Sequence, residues 1–149
     1  MEQLNHKIKA FDARIEELSK TEKYHDNVGK LACFMGLTRS RALAIVAEIG
    51  DFKRFVKPMH FAAYLGLVPE EQSSGDRHKP TAITKAGNSN IRKELIEAAQ
   101  SICCGAPGYK SKTLLARQQG NDNTVINYAD KASERLRRRY YKLARCGKK

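Results

Sequence analysis

The apolar and polar positions of this chain follow a helical period from its first residues onward. Apolar residues recur in steps of four, three, four and three at Leu4, Ile8, Phe11, Ile15 and Leu18. This heptad spacing is typical of a helix that buries one narrow stripe. Residues 1–27 are therefore predicted to form a coiled-coil or helical-hairpin arm beside a helical domain over residues 28–149. Three partners suit such an arm: its own domain, a second copy of the chain, or an upstream region.

Residues 28–50 are predicted to form two helices around the turn at Gly36, Leu37 and Thr38. The positions expected to face inward are Leu31, Phe34, Ala42, Ile45, Val46 and Ile49. The pattern resembles a helix-hairpin-helix, whose Gly-hydrophobic-Gly turn aims backbone N–H groups at a DNA phosphate. Because Thr38 replaces the second glycine, Arg39 and Arg41 are the predicted phosphate contacts. A helical hairpin with a purely structural role is an equally good interpretation.

Further helices and a long central loop complete a mainly α-helical prediction. Pro58 can start a short helix that runs through Tyr64. The face of this helix expected to be buried carries Met59, Ala62, Ala63 and Leu65. After the loop, Asn88 or Ser89 can cap the next helix. A short helix around residues 111–119 then leads into the last one.

The last helix has the clearest two-faced pattern. Its apolar face, predicted to be buried, carries Val125, Ala129, Ala132, Leu136, Tyr140 and Leu143. A continuous row of cations steps by four, three, four and three at Lys131, Arg135, Arg138, Lys142 and Arg145, with Arg137, Arg139 and Tyr141 beside it. On a helix these steps keep the charges on one face. The row suits a phosphate backbone or an RNA groove, and a solvated basic face is the plainer alternative.

The charge balance favours a nucleic-acid partner. The chain carries 28 Lys and Arg against 16 Asp and Glu, a formal net charge of +12. Most of the excess lies after residue 92, in the same stretch as the basic row. Such a distribution is typical of a protein that binds a polyanion. A solvated basic surface or an acidic protein partner is the alternative.

Other classes of protein are disfavoured by composition. No apolar run approaches the roughly 20 residues that cross a bilayer, and the N-terminus lacks the apolar core of a signal peptide. We therefore expect no membrane partner and a cytoplasmic location. The four cysteines form no C-x-x-C pair, and the four histidines do not stand at ligand spacing beside them. Neither a zinc site nor a disulfide framework is predicted, so no metal ligand is assigned in this chain.

The central loop holds the candidate chemistry. Two hydroxyls, Ser73 and Ser74, stand next to Gly75. The cations of the loop and of the helix start after it are Arg77, Lys79, Lys85 and Arg92. Cations of this kind could bind a phosphate and stabilise the charge that develops when a hydroxyl attacks it. A Ser-Ser-Gly sequence is, by itself, far more often only a turn.

Several separate motifs, in order, resemble the C-terminal domain of bacterial insertion-sequence transposases of the IS110, IS116 and IS902 type. The matching pieces are AEIGD at 47–51, RF at 54–55, AAYLGLVP at 62–69, SSG at 73–75, ITKAGN at 83–88 and the arginine-rich end at 135–148. A series of motifs with matching order and spacing is much more specific than one short pattern. The resemblance covers about residues 28–148.

The resemblance implies a serine that exchanges DNA strands, with Ser73 as first choice and Ser74 as second. It also implies a noncoding guide RNA, and an RNase H-like domain whose acidic tetrad would hold a divalent metal. A coiled coil links the two domains in such proteins, so the arm could lie in that linker. Two positions depart from the family pattern: Asp76 and Thr81 stand where relatives commonly carry glycine. The negative charge of Asp76 beside the serines would repel phosphate unless Arg77 or a metal compensates it.

Two alternatives from other classes remain at this point. One is a nucleic-acid-binding module, built from the hairpin and the basic helix, that performs no catalysis. The other is an assembly domain that uses only the heptad arm and the core. Loss of a covalent DNA adduct on substitution of the serines would identify the transposase interpretation. Oligomers that disappear when Ile8 and Ile15 become charged would identify the assembly domain.

Overall fold

The computed structural model describes residues 2–69, 82–103 and 108–147, and all regular structure in these ranges is helical. The α-helices are α1 (Glu2–Ser19), α2 (Glu22–Ala32), α3 (Arg39–Ile49), α4 (Pro58–Tyr64), α5 (Ser89–Cys103), α6 (Lys112–Gln118) and α7 (Asn123–Arg145), and a 3₁₀ helix spans Phe52–Arg54. The prediction of a mainly α-helical fold is confirmed. Within the described ranges, none of the helices is long and apolar enough to cross a membrane.

The heptad stripe of α1 packs against the protein at its C-terminal end and is exposed to solvent at its N-terminal end. Ile15 and Leu18 pack against a small core formed by α2 and α3, which includes Val28 and Val46. The first half of the stripe, at Leu4, Ile8 and Phe11, is exposed. The arm therefore packs partly on its own domain, as one interpretation expects. Helix α2 continues across the boundary that the sequence suggested at residue 27.

The main core lies between the α2–α3 hairpin and α5. Its buried residues are Leu37, Ile45, Ile49, Leu65, Ile91 and Ala98. On α3 the positions predicted to face inward are buried, because one face of this helix meets α1 and α2 and another meets α5. Leu65 and Ile91 flank the central loop in the sequence. The start and the end of that loop are thus fixed to the same core.

Helix α4 packs through a different face from the one predicted. Phe61 and Tyr64 pack against Phe55, with ring centroids 5.2 and 5.4 Å apart. Met59 is 67% exposed, so its predicted burial is wrong. The aromatic rings take the inward side of this short helix because they have more apolar area to remove from water. Met59 is left on the opposite side.

Candidate functional site

The central loop leaves the core and returns to it through a narrow base. Thr84 donates its backbone N–H to the carbonyl of Val68 at 3.0 Å, and Lys85 donates to Gly66 at 3.2 Å. Pro69 and Ile83 form an isolated antiparallel bridge. Residues 66–69 and 83–88 therefore run side by side, and we call them the loop base. The loop itself, residues 70–81, lies outside the described ranges.

Two glycines allow the loop base to close. A Cβ on Gly87 would lie 2.4 Å from the carbonyl oxygen of Tyr64, and one on Gly66 would lie 2.9 Å from the amide nitrogen of Ala86. Gly66 also has a φ of +65°, which favours glycine. The LGLVP and KAGN pieces of the sequence thus meet at a backbone crossing that has no room for side chains. This is a physical reason for glycine at both positions.

Arg92 ties the two sides of the loop base together. Its Nη1 donates to the carbonyl oxygens of Leu65 at 2.8 Å and Lys85 at 3.2 Å. Lys85 itself has a φ of +54°, and its side chain is exposed. A non-glycine residue in this region costs on the order of 1 kcal/mol, which the surrounding hydrogen bonds offset. Both residues were predicted to contact nucleic acid, and the structural role of Arg92 was missed.

Asn88 connects the loop base to the α3 helix. Its side-chain oxygen accepts from the backbone N–H groups of Asn90 and Ile91, each at 3.1 Å, so Asn88 is the cap of α5. Its amide nitrogen donates to Glu48 at 2.5 Å. Glu48 belongs to the AEIGD piece and Asn88 to the ITKAGN piece. Motifs that lie 40 residues apart in the chain are therefore in contact.

The two arginines at the start of α3 lie in different environments. Arg41 pairs with Glu94 at 3.1 Å and Glu97 at 2.5 Å, which compensates its charge. Arg39 is half-buried, and no carboxylate of the described residues pairs with it. The preceding turn faces the protein, since a Cβ on Gly36 would lie 2.3 Å from the carbonyl oxygen of Ala98. The two predicted helices are present, and phosphate binding by this hairpin stays a prediction.

The basic row of α7 is exposed along its whole length. It consists, as predicted from the sequence, of Lys131, Arg135, Arg138, Lys142 and Arg145. Only Arg138 has a carboxylate partner among the described residues, Glu134 at 2.7 Å, and both of these side chains are at least 70% exposed. Such an exposed pair contributes little to stability. At about 1.5 Å per residue the row extends over roughly 21 Å, long enough to meet several phosphates of a duplex.

The attachment of α7 differs from the prediction. Arg137 is 7% exposed and donates its Nε to the carbonyl of Ile102 at 3.1 Å, so it anchors α7 on α5. Leu136 and Tyr140, which were predicted to be buried, are 45% and 47% exposed. Leu143 is likewise at the surface.

A polar cluster under the end of α2 was not predicted at all. Arg117 donates its Nε to the carbonyl of Ala32 at 3.1 Å, and Gln118 donates to that of Cys33 at 3.0 Å. These bonds satisfy carbonyls that a helix end leaves without partners. Burial, and next the nearby Arg39 guanidinium, lower the pKa of Arg117. Burial raises the pKa of the Cys33 thiol, and Asp130 adds to that rise. The cluster fixes α6 to α2.

The remaining predicted residues are not placed by the structure. Ser73, Ser74, Arg77 and Lys79 all lie in the segment outside the described ranges, so their roles stay predictions. Among the residues that are described, no three His, Cys, Asp or Glu side chains gather as metal ligands would. What the structure supplies is the loop base, with Lys85 and Arg92 on it.

The chain resembles a set of known transposases. Its residues 28–114 match the family described as Transposase IS116/IS110/IS902. It is 39% identical over 119 residues to transposase y4qE of Sinorhizobium fredii, which covers 80% of this chain and 30% of that protein. It is 31% identical over 141 residues to the transposase for insertion sequence element IS1533 of Leptospira borgpetersenii, which covers 91% of this chain.

A third relative is the transposase for insertion sequence element IS1111A of Coxiella burnetii, 31% identical over 87 residues. The matches cover 30%, 39% and 24% of the lengths of these three relatives, so the chain corresponds to about a third of such a protein. The match over residues 28–114 includes both sides of the loop base and the segment between them. The chain belongs to the IS116/IS110/IS902 transposase family.

Proposed function

We propose that this chain is the C-terminal, serine-bearing part of a DNA transposase, and that it binds DNA through the basic row of α7. The observation that carries the proposal is the convergence of the family's separate motifs on the loop base. Glu48 contacts Asn88, and Gly66 lies against Gly87, so three motif pieces meet there. The two ends of the serine-bearing segment thus lie beside each other on the main core, and reactive residues are often carried by segments that a packed scaffold holds at both ends.

In the proposed reaction a serine of the loop attacks a phosphodiester. The Oγ of Ser73, or of Ser74 as second choice, forms a bond to phosphorus, and the bond from phosphorus to one DNA oxygen breaks. The departing DNA oxygen takes up a proton, and the serine proton goes to a base, for which His78 is the candidate in the loop. Arg77, Lys79 and the exposed Lys85 would stabilise the charge on the phosphate in the transition state.

We further propose partners that the family resemblance implies. They are a noncoding guide RNA and an RNase H-like domain, whose acidic tetrad would hold the divalent metal. A second copy of the chain could cover the first half of α1, because Leu4, Ile8 and Phe11 are exposed there. Exposed heptad positions of this kind are what a coiled-coil partner would bury.

The experiment looks for a covalent bond between protein and DNA. The chain is combined with an RNase H-like half, guide RNA and fluorescent DNA, and the products are separated on a denaturing gel. Ser73→Ala is expected to abolish the labelled protein band, with Ser74→Ala as the matched control, and neither should change DNA binding. Labelled bands of wild-type intensity from both single variants and from the double variant would contradict a serine nucleophile.

A second candidate function is a nucleic-acid-binding module without catalysis. The exposed basic row of α7 favours it, since the row can bind a backbone whether or not a serine reacts. The same gel, together with an anisotropy titration of DNA binding, separates the two proposals. Binding that depends on α7, with no adduct under any condition, would support the module alone.

A further inference from the structure

A short segment between α3 and α4 exposes apolar side chains that nothing in the proposed function uses. Val56 is 82% exposed, more than any other large apolar side chain of the described residues. Met59, on the first turn of α4, is 67% exposed. Large exposed apolar side chains that lie close together mark interaction surfaces. We call residues 53–60 the α4 surface.

Three cations stand beside these two apolar side chains in the sequence. Lys53, Arg54 and Lys57 are exposed, and none of them pairs with a carboxylate of the described residues. The carboxylate nearest in sequence, Asp51, is occupied as the cap of the 3₁₀ helix and accepts from the N–H of Lys53 at 2.9 Å. The α4 surface is therefore both apolar and positively charged.

The α4 surface is also held in place. The Arg54 guanidinium lies 4.7 Å from the ring centroids of both Phe55 and Tyr64, which fixes its position. Phe61 packs the other side of α4 against the main core. One residue after α4, Leu65 enters that core and Gly66 begins the loop base. The surface is thus a rigid neighbour of the loop base.

The positive charge of the α4 surface indicates which class of partner it binds. Lysine is depleted in the cores of protein–protein interfaces, whereas Lys and Arg around an apolar wedge are typical of proteins that bind the minor groove of DNA. In such proteins a side chain such as methionine enters between two base pairs, and the cations hold the phosphates on either side. Met59 and Val56 are exposed enough to insert as such a wedge. Lys53, Arg54 and Lys57 flank them in the sequence.

We propose that Lys53, Arg54 and Lys57 bind phosphates of a DNA duplex, and that Met59, with Val56 beside it, inserts into the minor groove at one base step. This site is separate from the row on α7, and it rests on the proposed function only in requiring that the chain binds DNA. Insertion next to the loop base would hold the duplex in a bent form close to the loop.

The test uses the whole chain and a duplex that carries 2-aminopurine at a central TA step, which is easily unstacked. Binding is followed by anisotropy and unstacking by 2-aminopurine fluorescence. Lys53→Gln with Lys57→Gln should lower the slope of log affinity against log salt by about 1.8. Val56→Ser with Met59→Ser should leave the slope unchanged and remove the fluorescence increase that accompanies insertion.

Matched controls lie on other helices. Leu115→Ser removes an apolar side chain that is 51% exposed on α6, and Lys7→Gln with Lys9→Gln removes two exposed cations of α1. These variants should keep the wild-type slope and fluorescence.

Three results would overturn the inference. The first is a wild-type slope and fluorescence increase in both α4-surface variants, while substitution of the α7 row still weakens binding; the proposed function would then stand without it. The second is a change of oligomeric state in these variants with unaltered DNA binding, since a second copy would then cover the surface. The third is a wild-type chain that binds no duplex, in which case the proposed DNA binding fails as well.

Discussion

The loop base and the basic row of α7 both carry arginine and lysine, but they use these residues in different ways. At the loop base, Arg92 donates to two backbone carbonyls, and Gly87 passes so close to Tyr64 that no Cβ would fit. On α7, four of the five cations have no carboxylate partner among the described residues. The loop base is held by short-range contacts, whereas the row presents cations that mostly have no carboxylate partner within the described ranges.

This difference predicts how each region responds to change. Contacts between packed backbone atoms depend on tenths of an ångström and hardly on salt. Exposed charges act through released counterions, so their contribution falls steeply as salt rises. A substitution at the loop base should therefore change folding stability, whereas one on the row should change nucleic-acid affinity.

The largest effect is expected from the basic row. A variant with Gln at Lys131, Arg135, Lys142 and Arg145 should bind a DNA duplex on the order of a thousandfold more weakly in moderate salt. Its salt slope should fall by about 3.6, because four phosphate contacts are lost. Anisotropy titrations at several salt concentrations measure both quantities. Urea unfolding should be nearly unchanged, since these side chains are exposed.

The matched control for the row removes four exposed cations elsewhere. Gln at Lys7, Lys9, Lys20 and Lys23 changes the net charge by the same amount on α1, on α2 and in the turn between them. If binding depends on the position of the row, this control should retain most of the affinity. Equal losses in the two variants would show that only net charge matters, and the row would lose its special role.

The next effect concerns the crossing of the loop base. Gly87→Ala should lower the free energy of unfolding by about 3 kcal/mol, because the added Cβ meets only backbone atoms that cannot move aside. Gly120→Ala is the control: its φ is +84° but nothing lies within 4 Å of the Cβ, so about 1 kcal/mol of strain is expected. Urea unfolding measures both. Similar losses in the two variants would mean that crowding at the crossing is unimportant.

The smallest effect is a pH dependence at the start of α7. The backbone N–H of Thr124, and then its side chain, bond the Asp122 carboxylate and lower its pKa below the ordinary 3.8. A carboxyl whose folded pKa is lowered stabilises the fold above its unfolded pKa, and that stability is lost as pH falls through the folded value. Wild-type stability should therefore fall below about pH 4. Urea midpoints across this range give the measurement.

Asp122→Asn keeps the helix cap of α7 but removes its titratable charge. Asparagine caps a helix about as well as aspartate but does not titrate, so this variant should lose less stability in acid than the wild type. Asp12→Asn is the control, since this exposed carboxylate of α1 makes no hydrogen bond within the described ranges. An acid loss in Asp122→Asn equal to that of the wild type would assign the pH dependence to other carboxylates.

Local signals in the sequence were sufficient to find most helices. The Pro58 start of α4, the Asn88 cap of α5 and the short helix before α7 are where the sequence predicts them. Each depends on the chemistry of a few neighbouring residues, and so does the position of the basic row. The burial of Met59, Leu136 and Tyr140 was predicted wrongly. Burial depends on which neighbouring element is present to cover a side chain, and no helical period contains that information.

The candidate site could be predicted from the sequence only as a set of residues, for a similar reason. Motif order pointed to the segment around Ser73 and to the cations beside it, whose roles stay predictions. The sequence did not reveal that Arg92 holds carbonyls, that Arg41 is neutralised by Glu94 and Glu97, or that Arg137 is buried. An arginine looks the same in a sequence whether it meets a carbonyl, a carboxylate or solvent. Only the partners distinguish these roles.

By itself, the sequence determined the helical fold, the strong positive charge and the row on α7, because each follows from residue types and their spacing along one helix. The tertiary structure alone decided that Glu48 meets Asn88, that Gly66 and Gly87 lie at one crossing, and that Val56 and Met59 remain in solvent. These facts depend on how distant segments approach each other. Such approaches are set by the packing of the whole core and not by any local pattern.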